Sequence, residues 1–340
     1  MTGALVRPPF AALLALSTAV GLVQAGHVPG IVRQVLVFAA VAGWMVFAVA
    51  LNDLADVDID RVNLPDDPRR VLANRRASRG EVVGVAVAAA AGACAAGAAL
   101  DLEAVTVVAC GLLLAVAYSL PPLSLSRRGI LTSALLPLGY VSVPFLVGAY
   151  AGSRTVDGRG VVLLAGLYLG FMGRLVLKDF RDEHGDRLYG KRTTLVRHGR
   201  VRTCAFSAVF WSVGAGVALA GQPRSVPLTL ATAAYVAAVV ALLADVAADQ
   251  SGVRDVANVM AVSVVGRALI VTFLTQMATT MTGWSPAMRG GLVLATAFAA
   301  LGVARECRTQ LLPRLSPLAV DERARLTPPG VAPVREPVDA

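Results

Sequence analysis

The sequence predicts an all-α membrane protein, a polytopic bundle of nine or ten transmembrane helices. The first indication is composition: the 340 residues are 56% hydrophobic and 16% charged, with a mean hydropathy of +0.68. That is too apolar for a soluble domain. The second indication is spacing, because apolar runs of about 20 residues, long enough to span a bilayer, alternate with short polar loops. The first run, Phe10 to Ala25, lacks a convincing signal-peptide cleavage site and is interpreted as a span.

The apolar runs and the loops that bound them define the predicted spans. These lie at 9–26, 33–54, 80–99, 103–120, 129–150, 160–180, 203–221, 226–247, 257–280 and 287–304. The last two runs are the least secure, so nine spans fit as well as ten. Residues 1–304 are therefore predicted to form one membrane domain. Residues 305–340, which are rich in Pro and Arg, are predicted to form a disordered cytoplasmic tail.

The positive charge of the chain is concentrated on one side of the predicted bundle. The net charge of +9 could suit a nucleic acid, but the basic residues cluster in short loops between spans. Alternation of the spans puts loops 55–79, 121–128, 181–202 and 248–256 on the same, Arg-rich side. By the positive-inside rule that side is the cytoplasm. We therefore expect a cell-membrane protein within a lipid bilayer, with no nucleic-acid partner. The high Arg, Ala and Val content suggests a bacterial source.

Three carboxylates follow the second span on one predicted helical face. Asp53, Asp56 and Asp60 step by three and then four, which places them within roughly 60° around a helix. Asp58 falls on the far side. Carboxylates about 6 Å apart repel by roughly 3 kcal/mol per pair at an effective dielectric of about 20. Some are therefore protonated, or a cation such as Mg²⁺ lies among them; the alternative is a solvated acidic helix end.

The same spacing recurs after the sixth span. Asp179, Asp182 and Asp186 again step by three and then four at the end of a long apolar run. Two triads with identical spacing, each at the end of a membrane segment, favour a shared metal site over a solvated surface. The two lysines of the chain, Lys178 and Lys191, flank this second triad, whereas every other basic residue is Arg. These two positions favour a compact ammonium group.

Two arginines fall inside apolar runs. Arg174 lies one turn before Lys178 on the same helical face, and Arg267 lies deep in the ninth span. An ionisable residue at membrane depth is a functional candidate by default. Snorkelling to the interface is the alternative for Arg174, and a structural partner within the bundle is the alternative for Arg267. The four cysteines and three histidines show no metal-ligand spacing and are assigned no role.

With these residues the chain resembles the UbiA superfamily of intramembrane prenyltransferases. The family motif N-D-x-x-D-x-x-x-D is matched at 52–60, and the motif D-x-x-D-x-x-x-D with a preceding Lys is matched at 178–186. Three shorter stretches also resemble the family, namely Asn63-x-Pro65, Tyr118-Ser119-x-Pro121-Pro122 and Gly190-Lys191-Arg192-Thr193-Thr194-Leu195. The resemblance covers roughly residues 8–300.

The resemblance implies a metal-dependent reaction at the cytoplasmic end of the bundle. Two Mg²⁺ ions would hold an isoprenyl diphosphate, the allylic carbon would ionise, and an aromatic or other small lipophilic acceptor would capture the cation. The implied metal and catalytic residues are Asn52, Asp53, Asp56, Asp60, Asp179, Asp182 and Asp186. The predicted substrate-binding residues are Asn52, Tyr118, Arg69, Arg174, Lys178, Lys191 and Arg192.

Two departures from the family pattern leave the loop contacts open. Many members have Arg where this chain has Asp67, and Arg69 and Arg70 follow just beyond it. Many also have a basic residue soon after the Tyr-Ser-Pro-Pro stretch, whereas here two serines intervene before Arg127 and Arg128. The alternative interpretation of these four arginines is membrane topology alone.

Two other functions remain as alternatives to prenyl transfer. A terpene cyclase would use the same metal site and quench the cation within the substrate, so that it needs no acceptor. A divalent-cation or lipid-phosphate transporter would need acids at the membrane midplane or a broken-helix pathway. The acidic clusters lie instead at span ends on one side, which disfavours transport.

Overall fold

The computed structural model is a helical bundle and describes residues 8–24, 26–63, 67, 69–127, 130–188, 190, 193–249, 251–252 and 254–311. The helices are α1 (Pro8–Val23), α2 (Ile31–Ala55), α3 (Val57–Asn63), α4 (Arg79–Leu100), α5 (Leu102–Ser119), α6 (Ile130–Pro137), α7 (Val143–Ser153), α8 (Gly158–Leu175), α9 (Asp179–Leu188), α10 (Thr194–Ala220), α11 (Val226–Ala248), α12 (Asp255–Met281) and α13 (Pro286–Leu311). A π turn, Leu138–Ser142, joins α6 to α7, and 3₁₀ turns lie at Leu125–Arg127 and Val176–Lys178.

Nine helical segments in the described ranges are long and apolar enough to cross a membrane. One combines α6, the π turn and α7 (Leu131–Ser153), and another combines α8 with its 3₁₀ turn (Gly158–Lys178). Helix α1 is a shorter apolar helix. The predicted all-α bundle is confirmed, and its two least secure spans form helices of 27 and 26 residues. Helix α13 extends to Leu311, and the rest of the predicted tail, 312–340, lies outside the described residues.

Several helices begin at side chains that accept hydrogen bonds from their first turn. Ser78 and Glu81 form a capping box at the start of α4. Asp101 ends α4 and caps α5, and Asp157 and Thr193 cap α8 and α10 in the same way. Each cap pairs an otherwise unsatisfied backbone N–H where the chain turns back into the bundle.

The bundle has two apolar clusters that share two helices. One cluster is built on α2, α4 and α5, and the other on α8 and α10 to α13. Helices α1 and α7 contribute buried side chains to both and thereby join the two halves. One acidic motif follows α2, in the first half, and the other follows α8, in the second. The short helices α3 and α9 that carry these motifs pack against each other, so the two halves meet at the acids.

Candidate active site

The first acidic motif crosses a break between helices α2 and α3. Asp56 lies at the break, with φ −106° and ψ 14°. The hydrogen bonds of a helix nevertheless continue through it, because the Asp56 amide donates to the Asn52 carbonyl at 2.9 Å and the Asp60 amide donates to the Asp56 carbonyl at 2.8 Å. The continuous helix assumed from the spacing is therefore replaced by two helices in near-helical register.

The acids of this motif differ in burial as their spacing predicts. Asp53, Asp56 and Asp60 are buried, whereas the side chain of Asp58 is 65% exposed and pairs with Arg61 at 2.8 Å. A cluster of buried carboxylates needs compensating charge or hydrogen bonds.

Arg70 supplies part of that compensation. One of its guanidinium nitrogens, Nη1, lies 2.7 Å from Asp53 Oδ1 and 2.7 Å from Asp60 Oδ2. The three side chains are at most 10% exposed. A single buried cation therefore joins two acids of the motif. The remaining acid, Asp56, accepts a hydrogen bond from Asn52 Nδ2 at 2.8 Å.

The second motif begins where α8 tightens into a 3₁₀ turn. This turn ends at Lys178, and Asp179, which is buried, opens helix α9. Glu183, also on α9, pairs with Arg187 at 2.8 Å on a more exposed face. Other predicted members of the site lie outside the described side chains; they are Asp182, Asp186, Lys191 and Arg192.

Tyr118, at the end of α5, connects the two motifs. Its buried hydroxyl hydrogen-bonds with Lys178 of the second motif, and its side chain lines the same cavity as Asp56 of the first. Because α5 ends next to both, the predicted stretch around Tyr118 lies at the meeting point of the acids.

A cavity opens between the two halves of the bundle beneath these polar groups. It measures about 1440 Å³ including its open mouth. Its charged lining consists of Asp56, Asp60, Asp67, Asp179, Arg69, Arg70 and Lys178. Its apolar lining includes Phe10, Trp44, Ala48, Leu114, Leu135, Leu136, Tyr140 and Leu175. Along α2 the polar residue Asn52 and the apolar residue Trp44 are eight residues apart, a rise of about 12 Å. The cavity is thus charged at one end and apolar at the other.

Residues 13–251 match the sequence model of the UbiA prenyltransferase family, well over half of the chain. The chain belongs to this family. It is therefore a multi-pass membrane protein, and the predicted resemblance is confirmed.

The relatives and solved structures support the same assignment. Digeranylgeranylglyceryl phosphate synthase of Halobacterium salinarum is 34% identical over 219 residues, which cover 63% of this chain and 74% of that protein. The bacteriochlorophyll synthase 34 kDa chain of Chloroflexus aurantiacus is 31% identical over 151 residues, which cover 44% of this chain. The chain spans about half the length of that synthase, 47%.

A solved structure of a UbiA homologue from Archaeoglobus fulgidus, bound to geranyl diphosphate (GPP) and Mg²⁺, has the same fold. It superposes with a TM-score of 0.59 at 18% identity, covering 88% of this chain and 99% of that one. The likeness at this identity concerns the fold.

The donor atoms of the acidic motifs suit the Mg²⁺ ion that the family implies. Carboxylate and amide oxygens are ligands that Mg²⁺ prefers, and Asn52 and the buried acids offer them around one cavity. Within the described side chains, no three His, Cys, Asp or Glu residues form a ready-made metal cage. Arg70 instead lies between two of the acids.

The loop after α3 gives its two neighbouring arginines different roles. Arg69 is 45% exposed and forms two hydrogen bonds with the carboxylate of Asp67, at 2.8 and 2.7 Å. This pairing holds the pKa of Asp67 at about 2, chiefly through the Arg69 side-chain hydrogen bond. Arg70, the next residue, faces the acids. The sequence prediction included Arg69 among the substrate-binding residues and named Arg70 as a neighbouring cation; both line the cavity, and Arg70 is the one that pairs with the buried acids.

Other lining residues gave weak signals or none in the sequence. Thr132 and Ser133 are buried at the start of α6 and line the cavity. Their sequence signal is weak, because Ser and Thr are common at helix interfaces in membranes. The ring of Tyr140 lies 5.4 Å from that of Phe10 and 6.0 Å from that of Trp44. These three aromatic residues come from three different segments, so spacing could not bring them together.

The two arginines within apolar runs lie away from the described cavity lining. Arg174 is half-buried near the end of α8, and Arg267 is half-buried within α12. Neither is among the residues that line the cavity. The predicted contact of Arg174 with substrate therefore remains a prediction.

Proposed function

We propose that the protein transfers an isoprenyl group from an isoprenyl diphosphate to an aromatic or other small lipophilic acceptor, in a Mg²⁺-dependent reaction within the membrane. The cavity carries this proposal, because its charged end and apolar end match the two parts of such a donor. A diphosphate requires cations and metal-binding acids, and its hydrocarbon tail requires an apolar pocket. The family membership supports the same reaction class.

In the proposed reaction the acids and cations of the chain hold the diphosphate end. The metal-binding set is Asn52, Asp53, Asp56, Asp60, Asp179, Asp182 and Asp186. Mg²⁺, as two ions when bound, supplies charge neutralisation for the leaving diphosphate. Lys178, Arg70, Lys191 and Arg192 contribute cations that hydrogen-bond to phosphate oxygens. Tyr118 orients Lys178 through the contact between their side chains.

The apolar end of the cavity protects the reacting carbon. Ionisation of the donor produces an allylic cation that water would quench, and a closed apolar wall keeps water away. The clustered Arg and Lys loops support an orientation with the site facing the cytoplasm, in a bacterial cell membrane. Arg174 remains the candidate contact for an acceptor that carries a carboxylate.

A terpene cyclase is the second candidate, favoured by the aromatic lining. The rings of Phe10, Trp44 and Tyr140 all line the cavity, and aromatic faces stabilise cations within about 6 Å. Such a lining suits a reaction in which the cation persists and closes on its own chain. A cyclase needs only the diphosphate, so dependence on an acceptor separates the two functions.

The test measures turnover of the purified protein in detergent with Mg²⁺ and geranyl, farnesyl or geranylgeranyl diphosphate. Each donor is supplied alone and then with a panel of aromatic and lipophilic acceptors. Turnover that requires an acceptor supports the transferase, and cyclised hydrocarbon without acceptor supports the cyclase. Asp179→Asn is expected to lower either activity by about 10²- to 10³-fold, whereas Glu183→Gln, on the same helix but in an exposed pair, serves as the matched control. No turnover by the wild type with any donor and acceptor contradicts the proposal.

A further inference from the structure

Arg70 occupies oxygens that the proposed metal site would use. Its Nη1 lies at 2.7 Å from one carboxylate oxygen of Asp53 and from one of Asp60. These two acids belong to the set proposed to hold Mg²⁺. A guanidinium and a divalent ion cannot both take the same oxygens at short distance, because two cations so close would repel each other strongly.

The loop around Arg70 fixes this inward direction. The Arg70 amide donates to the Asp67 carbonyl at 2.9 Å, and the Asn74 amide donates to the Arg70 carbonyl at 3.0 Å. The Asn74 side chain also donates to the Asp67 carbonyl at 2.7 Å. The carboxylate of Asp67 pairs with Arg69, so both side chains remain partly exposed at the cavity. The turn therefore directs one arginine to the buried acids and pairs its neighbour with Asp67.

We propose that Arg70 is an exchangeable counter-cation, which holds Asp53 and Asp60 in the metal-free protein and passes to the diphosphate when metal ions take its place. The inference rests on the proposed metal site. Arg70 also lines the cavity, so its guanidinium can turn from the carboxylates to a phosphate without leaving the site. Guanidinium groups bind both partners through the same planar fork of donors.

The exchange makes metal and diphosphate binding interdependent. Metal alone must displace Arg70 and leave it buried without an anion, which weakens metal binding. Diphosphate gives the released guanidinium a new anionic partner and thereby strengthens metal binding. By linkage, the two ligands must then raise each other's affinity by the same factor. Arg70 thereby acts as a positioning residue that favours assembly of the metal site when the donor is present.

The experiment measures Mn²⁺ binding to the full chain in detergent by electron paramagnetic resonance, with and without inorganic pyrophosphate. Arg70→Gln is expected to bind Mn²⁺ alone at least about tenfold more tightly than the wild type, because the competing cation is gone. Pyrophosphate should then enhance Mn²⁺ binding at least about tenfold less in this variant than in the wild type. Arg61→Gln removes the same charge from an exposed pair on α3 and should change neither quantity.

A purely structural role would give a different pattern, since damage to the site would weaken Mn²⁺ binding under both conditions. An unchanged or weakened Mn²⁺ affinity of Arg70→Gln in the absence of pyrophosphate overturns the proposal. If that variant fails to fold, Arg70→Lys carries the same test, because a lysine ammonium is more strongly hydrated than a guanidinium, is less suited to a buried ion pair and should compete less with Mn²⁺. The measurement requires no prenyl donor. Tighter Mn²⁺ binding by Arg70→Gln, with a smaller enhancement by pyrophosphate but without any prenyl turnover by the wild type, therefore contradicts the proposed function and supports the exchange.

Discussion

The two acidic motifs have identical spacing but different surroundings. The first bends at Asp56 between two helices, and its cation, Arg70, comes from a loop 17 residues beyond Asp53. The second opens helix α9 directly, and its cation, Lys178, is the residue immediately before Asp179. The equal spacing therefore does not come with an equal backbone, although Asp56, Asp60 and Asp179 all line the same cavity.

The two cations also differ in what they can contact. A guanidinium is planar and always charged, so Arg70 can bridge two carboxylates. An ammonium is a compact point charge, and Lys178 lies against the hydroxyl of Tyr118. In the first motif a cation, Arg70, bridges two of the acids. In the second motif the cation, Lys178, lies next to the acids in the sequence. Four predictions test how far the two motifs, and the two halves of the bundle, differ.

The largest effect should come from the acids, and it should be equal in the two motifs. Asp56→Asn and Asp179→Asn are each expected to lower kcat/KM by about 10²- to 10³-fold, the scale of losing one preorganised electrostatic contact. The measurement is steady-state turnover with a prenyl diphosphate at saturating Mg²⁺. Asp58→Asn, which alters an exposed acid of the first motif, should retain activity. A large loss of kcat/KM from one substitution and a small loss from the other would show that the two motifs contribute unequally to catalysis.

The second prediction extends the comparison to the helix packing of each half. In the second half, a Cβ atom on Gly214 of α10 would collide with the backbone of Gly170 on α8, whereas one on Gly216 would meet open space. Close approach of helices through small residues is a common packing mode in membranes. Gly214→Ala should therefore cost about 1–3 kcal/mol of unfolding free energy, as overpacking does, and Gly216→Ala should be tolerated.

The first half should respond less. A Cβ on Gly43 of α2 would lie 2.8 Å from the carbonyl oxygen of Ala89 on α4, a milder clash, and one on Gly92 would meet open space. Unfolding in detergent mixtures measures both pairs of variants. The expected order of destabilisation is Gly214→Ala, then Gly43→Ala, with both controls near the wild type. Equal stability of Gly214→Ala and Gly216→Ala would contradict the close approach of α8 and α10.

Much of this architecture follows from the sequence because membrane spans obey a simple rule. Length, hydropathy and loop charge decide where a helix crosses, and the predicted spans correspond to the observed helices even at α12 and α13. The two acid triads could be recognised because each lies within a single short stretch. The first triad keeps its helical spacing across the break at Asp56, because the Asp56 amide donates to the Asn52 carbonyl and the Asp60 amide donates to the Asp56 carbonyl.

The parts of the site that the sequence did not reveal depend on tertiary contacts, which distinguish two adjacent residues or bring distant residues together. Arg69 and Arg70 are adjacent and chemically alike, but Arg69 pairs with Asp67 whereas Arg70 pairs with Asp53 and Asp60. The apolar end of the cavity combines Trp44 of α2 with Tyr140 of the π turn, which no local pattern connects. Spacing alone predicts neighbours within one element, whereas these residues meet through tertiary packing.

The third prediction exchanges the two kinds of cation. Arg70→Lys and Lys178→Arg are each expected to raise KM for the prenyl diphosphate about tenfold, which corresponds to about 1.4 kcal/mol. The lysine ammonium is more strongly hydrated than a guanidinium and is therefore less suited to the buried pair with Asp53 and Asp60, and the longer arginine does not fit beside Tyr118 in the same way. Arg61→Lys is the matched control at an exposed site. If the variants at positions 70 and 178 behave like this control, the identity of the cation is unimportant and the two motifs differ in backbone alone.

The smallest effect concerns the pH dependence of the pair between Asp67 and Arg69 in the first motif's loop. The pKa of Asp67 is lowered from 3.8 to about 2, mainly by the Arg69 side chain. The ionised carboxylate therefore stabilises the fold above about pH 4, and this contribution is lost as the pH falls toward 2. We expect the wild type to unfold at most about 2 °C above Asp67→Asn at pH 6, with the difference in unfolding free energy falling to about half at pH 3.

In an Arg69→Gln background the same substitution should have little effect at either pH, because the partner that lowers the pKa is absent. A wild-type advantage that grows on acidification, or that persists without the Arg69 side chain, would contradict the assignment of the lowered pKa to that side chain, because the backbone contacts of Asp67 with Arg70 and Asn74 are the same in both proteins.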